Sequence, residues 1–318
     1  MKIKFERRLE EAKWAVVVVP IVSFILALGF GALLLLVFGI NPLKAFQVMV
    51  QGSLGGRYAI TETVVKAVPL MLTGLGVSVA FRMLFWNIGA EGQLAFGGIA
   101  ASYVALFLSE SLPNFLTLPT MVVFGMAAGA IWALIPALLK AYLNVNEILT
   151  TLMMNYIAIL MVEYLYLGPW RDPDGYGFPG SAPFPDEAIL PRLVGRVHLG
   201  IVFALIAAFI LWLIMSRMKW GYEIRLIGEN PRAAKYAGIS TTKNMILVML
   251  LSGALSGLAG MAEVSGIAPS TLPRPDRRLW LHGYYRLLAG KPKHLGRSFG
   301  ESIHGGADRG WRSASGRH

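Results

Sequence analysis

Few residues of this 318-residue sequence could do acid–base, nucleophilic or metal chemistry. There is no cysteine, which excludes a disulfide, a thiol nucleophile and a thiolate metal site. All five histidines lie outside the long apolar runs, and no HExxH, paired-aspartate or P-loop motif occurs. Glu91, Glu163 and Glu263 are the carboxylates closest to those runs, and each lies near a run's end or in a polar segment. We therefore predict neither an enzyme nor a site for a metal or cofactor.

A second set of polar residues could form hydrogen bonds with a hydroxyl-rich molecule. Asn87, Glu91 and Gln93 belong to the segment NIGAEGQ, and Asn155 lies inside a later apolar run. Amide and carboxylate groups at the polar start of a membrane helix could line a path for a small polar solute. Alternatively, NIGAEGQ is a helix start that holds two helices together, with Asn87 as its cap and Glu91 in its first turn.

The segment GENPRAAKYAGI, residues 228–239, predicts a short helix between two apolar runs. Asn230 suits the N-cap, Pro231 the first helical position and Gly238 the residue after the end. A helix of about two turns is too short to be stable alone in water. Its alanines leave one side without bulk, so it could fit a groove of another protein; the alternative is an ordinary interfacial loop. The residues predicted to dock are Glu229, Asn230, Pro231, Ala233, Ala234 and Gly238.

The composition of the chain indicates that these residues belong to a membrane protein. Charged residues make up 15% of the chain, hydrophobic residues 55%, and the mean hydropathy is +0.58. Several apolar runs reach the ~20 residues that a helix needs to cross a bilayer. We predict an all-α, polytopic helical transmembrane bundle of about seven spans. The predicted spans are 14–39, 64–83, 94–108, 116–139, 148–167, 199–215 and 245–264. Residues 40–61, between the first two spans, are predicted to form a loop.

The charges of the short loops give an orientation. Basic residues crowd 217–243 and precede the first span, so the positive-inside rule places both segments in the cytoplasm. The predicted organisation is a cytoplasmic N-terminal segment 1–13, a transmembrane domain 14–267 that contains the loop 217–243, and a polar tail 268–318. Pro69, Gly74 and Gly76 interrupt the second span, and a break there could expose backbone groups to a cavity; the alternative is a kinked packing helix. Gly253 and Gly257 have the small-xxx-small spacing of a close-packing face.

Three segments together resemble one family. They are NIGAEGQ at 87–93, NEILTTLMMNYI at 146–157 and GYEIRLIGENPRAAKYAGIS at 221–240. In order and spacing they are similar to the permease subunits of bacterial ABC importers for nucleosides and simple sugars, which are related to branched-chain amino acid permeases. The resemblance covers roughly residues 10–267 and implies a bacterial inner-membrane, multi-pass protein with its N-terminus in the cytoplasm.

The resemblance also implies partners. These are cytoplasmic ABC ATPase subunits, a second permease subunit that is homologous or identical, an extracytoplasmic substrate-binding protein and membrane lipid; no nucleic acid is expected. In that family the loop matching 228–239 is the coupling helix that enters the ATPase cleft. Two alternatives remain: an ion-coupled secondary transporter of a small solute, and a non-transporting membrane scaffold.

The tail departs from the family pattern, which would continue with further apolar spans. Residues 272–318 hold ten Lys or Arg against three acids, and contain no run that could span a membrane. Read one base later, Trp280 must become Gly, and Tyr284 and Tyr285 become Ile or Thr. With permissive third bases, the shifted frame encodes an apolar, glycine-bearing sequence. We hypothesise a frameshift near 268–277; the alternative is a genuine basic tail that binds anionic lipid or nucleic acid.

Overall fold

The computed structural model describes residues 14–172 and 180–266, and these ranges contain ten α-helices. The predictions for 1–13 and for 268–318 lie outside the described residues. The helices are α1 (Ala15–Val37), α2 (Pro42–Leu54), α3 (Arg57–Arg82), α4 (Ala90–Tyr103), α5 (Asn114–Leu143), α6 (Glu147–Leu167), α7 (Gly200–Arg217), α8 (Lys219–Glu229), α9 (Pro231–Tyr236) and α10 (Thr241–Gly266).

Seven of these helices are long and apolar enough to cross a membrane, which confirms the predicted number of spans. They are α1, α3, α4 with its extension to Ser111, α5, α6, α7 and α10. The second span is not broken, because α3 continues through Pro69 as one helix, and this favours the packing-helix alternative. The loop predicted at 40–61 instead contains α2, which Asn41 caps by accepting hydrogen bonds from the amides of Leu43 and Lys44.

Residues 14–65 and 194–196 belong to one compact unit. In it the Thr63 hydroxyl donates to the Ser53 carbonyl over 2.9 Å and so ties the start of α3 to the end of α2. Arg196 lies 2.7 Å from the Glu62 carboxylate, and its guanidinium also donates to the Tyr58 hydroxyl over 3.2 Å. These contacts fix the start of α3 locally.

The second compact unit, residues 66–193 and 197–266 of the described chain, has its core where α4, α5 and α10 meet. Glycines make this contact close, because a Cβ atom on Gly257 would collide with the Gly125 carbonyl of α5. Gly97 of α4 lies against the Gly257 backbone from the other side, and Gly253 lies against Gly129. The predicted close-packing face of α10 is confirmed, and we call this contact the glycine seam.

Shorter elements complete the second unit. After α4 the chain forms a π-helix (Val104–Leu108) and a 3-10 turn (Ser109–Ser111). Between α6 and α7 lie a 3-10 turn (Asp186–Ala188) and a two-stranded sheet of β1 (Arg192–Val194) and β2 (Val197–His198). The Leu190 amide donates to the Ser265 carbonyl over 3.0 Å, so this connection packs against the last turn of α10.

Candidate functional site

The predicted short helix forms as α9, and its cap is confirmed. The Asn230 side chain accepts hydrogen bonds from the amides of Arg232 and Ala233, each at 3.1 Å, so the first turn has its N–H groups satisfied. Pro231 occupies the first helical position, where it has no N–H to lose. Gly238 adopts a φ of +76°, a left-handed conformation that glycine adopts without strain. The helix therefore begins and ends where the sequence predicts.

The exposed side of α9 differs from the one that the alanines predict. Ala234 is fully buried, so it faces the protein and anchors the helix. Ala233 and Ala237 are exposed, and Tyr236, which the sequence analysis overlooked, is 95% exposed. The predicted docking residues Glu229, Asn230, Pro231 and Gly238 are also exposed. The exposed surface of α9 thus combines one aromatic ring, small side chains and the basic residues Arg232 and Lys235. Tyrosine and arginine are common at the centres of protein–protein contacts.

A second helix, which the sequence analysis also missed, supports α9. The amphipathic helix α8 buries Ile224 and Ile227 and ends at Glu229, immediately before the Asn230 cap. The indole N–H of Trp220 donates to the Asn244 side chain over 2.7 Å, and Asn244 donates to the Glu223 carboxylate over 3.1 Å. These bonds join α8 to the first turns of α10.

The far end of α8 lies against α3. A Cβ atom added to Gly228 would collide with the Arg82 carbonyl, so the two backbones touch with no side chain between them. Hydrophobic residues at the spacing of Ile224 and Ile227 were the signal in the sequence for this helix. We call α8 and α9 together the coupling segment.

NIGAEGQ connects α3 to α4 by folding back into the protein. Leu84 makes the reversal with a φ of +56°. Asn87 then reaches the Ser252 hydroxyl of α10 over 3.0 Å, eight residues and so about 12 Å along the helix from Asn244. The amide groups of Asn87 and Gln93 donate to each other over 3.2 and 3.1 Å. Both side chains are 1% exposed, so we call them the amide pair.

Asn155 joins the same region from α6. Its side chain accepts a hydrogen bond from the Gly92 amide over 2.8 Å and donates to the Ile88 carbonyl over 2.8 Å. The Gly89 amide donates to Asn87, which therefore stabilises the start of α4 without being its N-cap. The structure brings Asn87, Gln93 and Asn155 together as a satisfied network, whereas Glu91 is exposed in the first turn of α4.

Two buried ionisable groups lie at the end of α10 remote from the coupling segment. Glu263 is 7% exposed, and one of its oxygens lies 4.0 Å from the Lys66 ammonium. The His198 ring packs against Gly266, and its Nδ1 accepts a hydrogen bond from the Gly200 amide over 3.1 Å. Burial, followed by the positive charge of Arg192, lowers the pKa of His198 to about 4. The described residues contain no group of three metal-ligating side chains.

The coupling segment and the amide network have the features of structural contacts and not those of a catalytic site. The coupling segment has an exposed surface, and the amide network fixes the connection between two spans. Neither region brings a nucleophile and a base together within hydrogen-bonding reach among the described contacts.

Comparison with known proteins points the same way. Residues 59–272 match the family model described as branched-chain amino acid transport system / permease component. The guanosine ABC transporter permease protein NupP of Bacillus subtilis is 39% identical over 251 residues, which cover 78% of this chain and 72% of that protein. The glucose ABC transporter permease protein TsgB13 of Haloferax volcanii is 36% identical over 278 residues, 84% of this chain and 72% of that protein.

A third relative is also an ABC transporter permease. The nucleoside ABC transporter permease protein NupB of Lactococcus lactis is 32% identical over 254 residues, 77% of this chain and 70% of that protein. No solved structure matches the chain.

Proposed function

Because the chain belongs to the family described as branched-chain amino acid transport system / permease component, we propose that it is the permease subunit of an ATP-driven importer for a nucleoside or a simple sugar. The names of its relatives support this solute class, since guanosine, nucleosides and glucose are all small and rich in hydroxyl groups. The family assignment selects a multi-pass transport component over the ion-coupled secondary transporter.

The observation that carries the docking part of the proposal is the surface of α9. A cytoplasmic ATPase subunit would receive the ring of Tyr236, with Ala233 and Ala237 allowing close approach on either side. Buried Ala234 keeps the helix from rotating away when it is pushed. Exposed aromatic residues at the centre of a contact contribute a large share of binding energy. We assign the coupling role to Glu229, Asn230, Pro231, Ala233, Tyr236 and Gly238, with Ala234 as the inward anchor.

A push on α9 has a direct route into the membrane domain. The cap joins α9 to α8, and α8 contacts both the Arg82 carbonyl of α3 and Asn244 of α10. Closure of the ATPase subunits on ATP binding would therefore displace α3 and α10 as packed bodies. Asn87 of the amide pair is hydrogen-bonded to Ser252 of α10, so the pair would move with that helix.

The hydrogen bonds of the amide network support the helix-start role for Asn87, Gln93 and Asn155. Their polar groups are already paired, so solute would have to break those bonds to reach them. Glu91, which is exposed, is the better candidate for contact with solute along the proposed path. A neighbouring hydroxyl-rich molecule could donate to its carboxylate.

The orientation of the proposal follows from charge. Six basic residues lie in 217–243, so we place the coupling segment and the N-terminus in the cytoplasm. The connection 186–199 then faces outward, where an extracytoplasmic substrate-binding protein would deliver the solute. A second permease subunit, identical or homologous, would complete the pathway in the bacterial cell membrane.

The frameshift near 268–277 is part of the same proposal. The family match ends at residue 272, which supports a loss of the family pattern there. The gene's nucleotide sequence decides: a shifted frame that encodes apolar spans supports the hypothesis, and one interrupted by stop codons contradicts it.

Cross-linking tests the docking assignment, and the absence of cysteines makes the chain convenient for it. In vesicles containing the co-expressed ATPase, we expect Ala237→Cys, which is exposed and keeps the Tyr236 ring, to be joined to a cysteine of the ATPase by a bifunctional maleimide reagent. Ala234→Cys, which is buried, and Leu193→Cys, at the opposite end of the structure, should not. Tyr236→Ala should weaken ATPase association about tenfold or more.

The matched control is Tyr222→Ala, which removes a 56% exposed ring from α8 and should leave association within twofold. Labelling of Ala237→Cys only from outside the vesicle would contradict the proposal. So would cross-linking that is no stronger than that of Leu193→Cys.

A further inference from the structure

A groove between α3 and α7, next to α8, has no role in the docking arrangement described above. It encloses about 330 Å³. Its walls include Leu75 and Val79 of α3, and Ala208 and Leu211 of α7. At one end it is lined by Arg82, in the last turn of α3, and by Arg225 of α8. We call it the α3–α7 groove.

The groove is amphipathic along its length. Leu75 and Arg82 are seven residues apart on one helix, so the apolar and cationic ends of the groove lie about 10 Å from each other. The cationic end lies beside the coupling segment, at the end of the two spans, and the apolar end points towards the middle of the spans. Of the described residues that line the groove, none is acidic. A ligand that fits both ends must carry a negative group and an apolar chain.

The two arginines have donors to spare. The Arg225 guanidinium donates one hydrogen bond to the Met215 carbonyl, which fixes the side chain across the end of α7. A guanidinium has five N–H donors, so several remain for a ligand. Both side chains are exposed at this end of the groove. Paired guanidinium groups are well matched to the oxygens of a phosphate.

We propose that the α3–α7 groove binds one anionic phospholipid, with its phosphate between Arg82 and Arg225 and an acyl chain along Leu75, Val79 and Leu211. The membrane supplies such lipids at high local concentration, and basic residues at the cytoplasmic ends of spans attract them. Free phosphate would satisfy the arginines but would leave the apolar walls in contact with water. The lipid would join α3, α7 and α8, and so would brace the helix that precedes the proposed docking helix.

Native mass spectrometry of the full chain, purified with equal amounts of phosphatidylglycerol and phosphatidylcholine, tests this site. We expect one phosphatidylglycerol to be retained by the unaltered chain. Arg82→Gln combined with Arg225→Gln should weaken this binding about tenfold or more, and Arg82→Gln alone about fivefold. Lys219→Gln is the matched control, since it removes an 88% exposed cation outside the groove and should change binding less than twofold.

A second variant separates a lipid from free phosphate. Ala208→Trp fills the apolar part of the groove and leaves both arginines in place, so it should remove the retained lipid. Inorganic phosphate at millimolar concentration should not displace the lipid from the unaltered chain. Equal retention by all variants overturns the proposal, and so does an equal effect of Lys219→Gln or displacement by phosphate. None of these measurements depends on the ATPase, so the docking proposal is tested separately.

Discussion

The glycine seam and the coupling segment use small residues for opposite purposes. At the seam, Gly257 lies between the backbones of α4 and α5, and nothing larger than a hydrogen atom fits there. On α9, Ala233 and Ala237 are small and exposed beside the protruding ring of Tyr236. Small residues therefore allow a close contact inside the protein and leave space beside an exposed ring at its surface. Burial of the neighbouring backbone, and not small size alone, separates the structural role from the proposed docking role.

The comparison predicts its largest effect at the seam. Gly257→Leu should cost about 3 kcal/mol or more of stability, because the side chain would force two helix backbones apart. The measurement is the thermal unfolding midpoint of the detergent-purified chain. Gly74→Ala is the control: no atom lies within 4 Å of the added methyl group, so stability should change by no more than about 1 kcal/mol. Equal midpoints for the two variants would show that the seam is not tightly packed.

The stability of the protein should depend on pH because of His198, which is buried at the other end of α10. The folded protein keeps His198 neutral down to a pKa of about 4, whereas an unfolded histidine has the ordinary value of 6.5. Stability is therefore fully present above pH 6.5 and is lost as the pH falls towards 4, by roughly 3 kcal/mol over that window. The measurement is the unfolding midpoint between pH 7 and 4.5. His198→Gln should show a flatter pH dependence, and an unchanged slope would contradict the assignment.

Variants of the amide pair test whether a buried polar network contributes to stability as the glycine seam does. Asn87→Ala should cost about 2–3 kcal/mol, because Gln93 and Ser252 would each lose a buried hydrogen-bond partner. Glu91→Gln, an exposed change in the same motif, should be within about 0.5 kcal/mol of the unaltered chain. Unfolding midpoints and solute uptake should be measured together. If Asn87→Ala lost solute uptake but kept full stability, the result would support a direct contact between Asn87 and the solute.

The smallest effect on stability is expected at the exposed helix α9. Asn230→Ala removes the cap of α9 and should destabilise that helix by about 1 kcal/mol, while the midpoint of global unfolding stays unchanged. Amide hydrogen exchange at residues 232–236 is the appropriate readout. Asn41→Ala, which removes the cap of α2, is the control and should leave exchange in α9 unaltered. A global loss of stability would mean that α9 belongs to the packed core.

Local patterns predicted much of this architecture. The seven long helices, the cap at Asn230 and the close-packing face around Gly253 and Gly257 follow from hydropathy, capping and spacing, which depend on neighbours in sequence. The amphipathic helix α8 was also readable from its pattern but was overlooked. The helix α2 was misjudged as a loop because glycines follow its Asn41–Pro42 start signal.

Contacts between distant residues could not be predicted in the same way. Asn87 and Ser252 are 165 residues apart, and nothing in either segment indicates that the two side chains meet. The burial of Ala234 and the exposure of Tyr236 depend on how α9 rotates against the rest of the protein, which two turns of sequence do not determine. The candidate site could therefore be located from the sequence, whereas its contact surface could not.

The meeting of Gly228 with the Arg82 carbonyl has a consequence for how fast and how faithfully a signal could pass through this protein. Two main chains in direct contact have no side chain between them that could change rotamer. A displacement of α8 would therefore pass directly to α3. A side chain at position 228 would push the two helices apart, because its Cβ atom would collide with the Arg82 carbonyl oxygen. Under the proposed function, Gly228→Ala would therefore leave ATP hydrolysis running while solute transport falls.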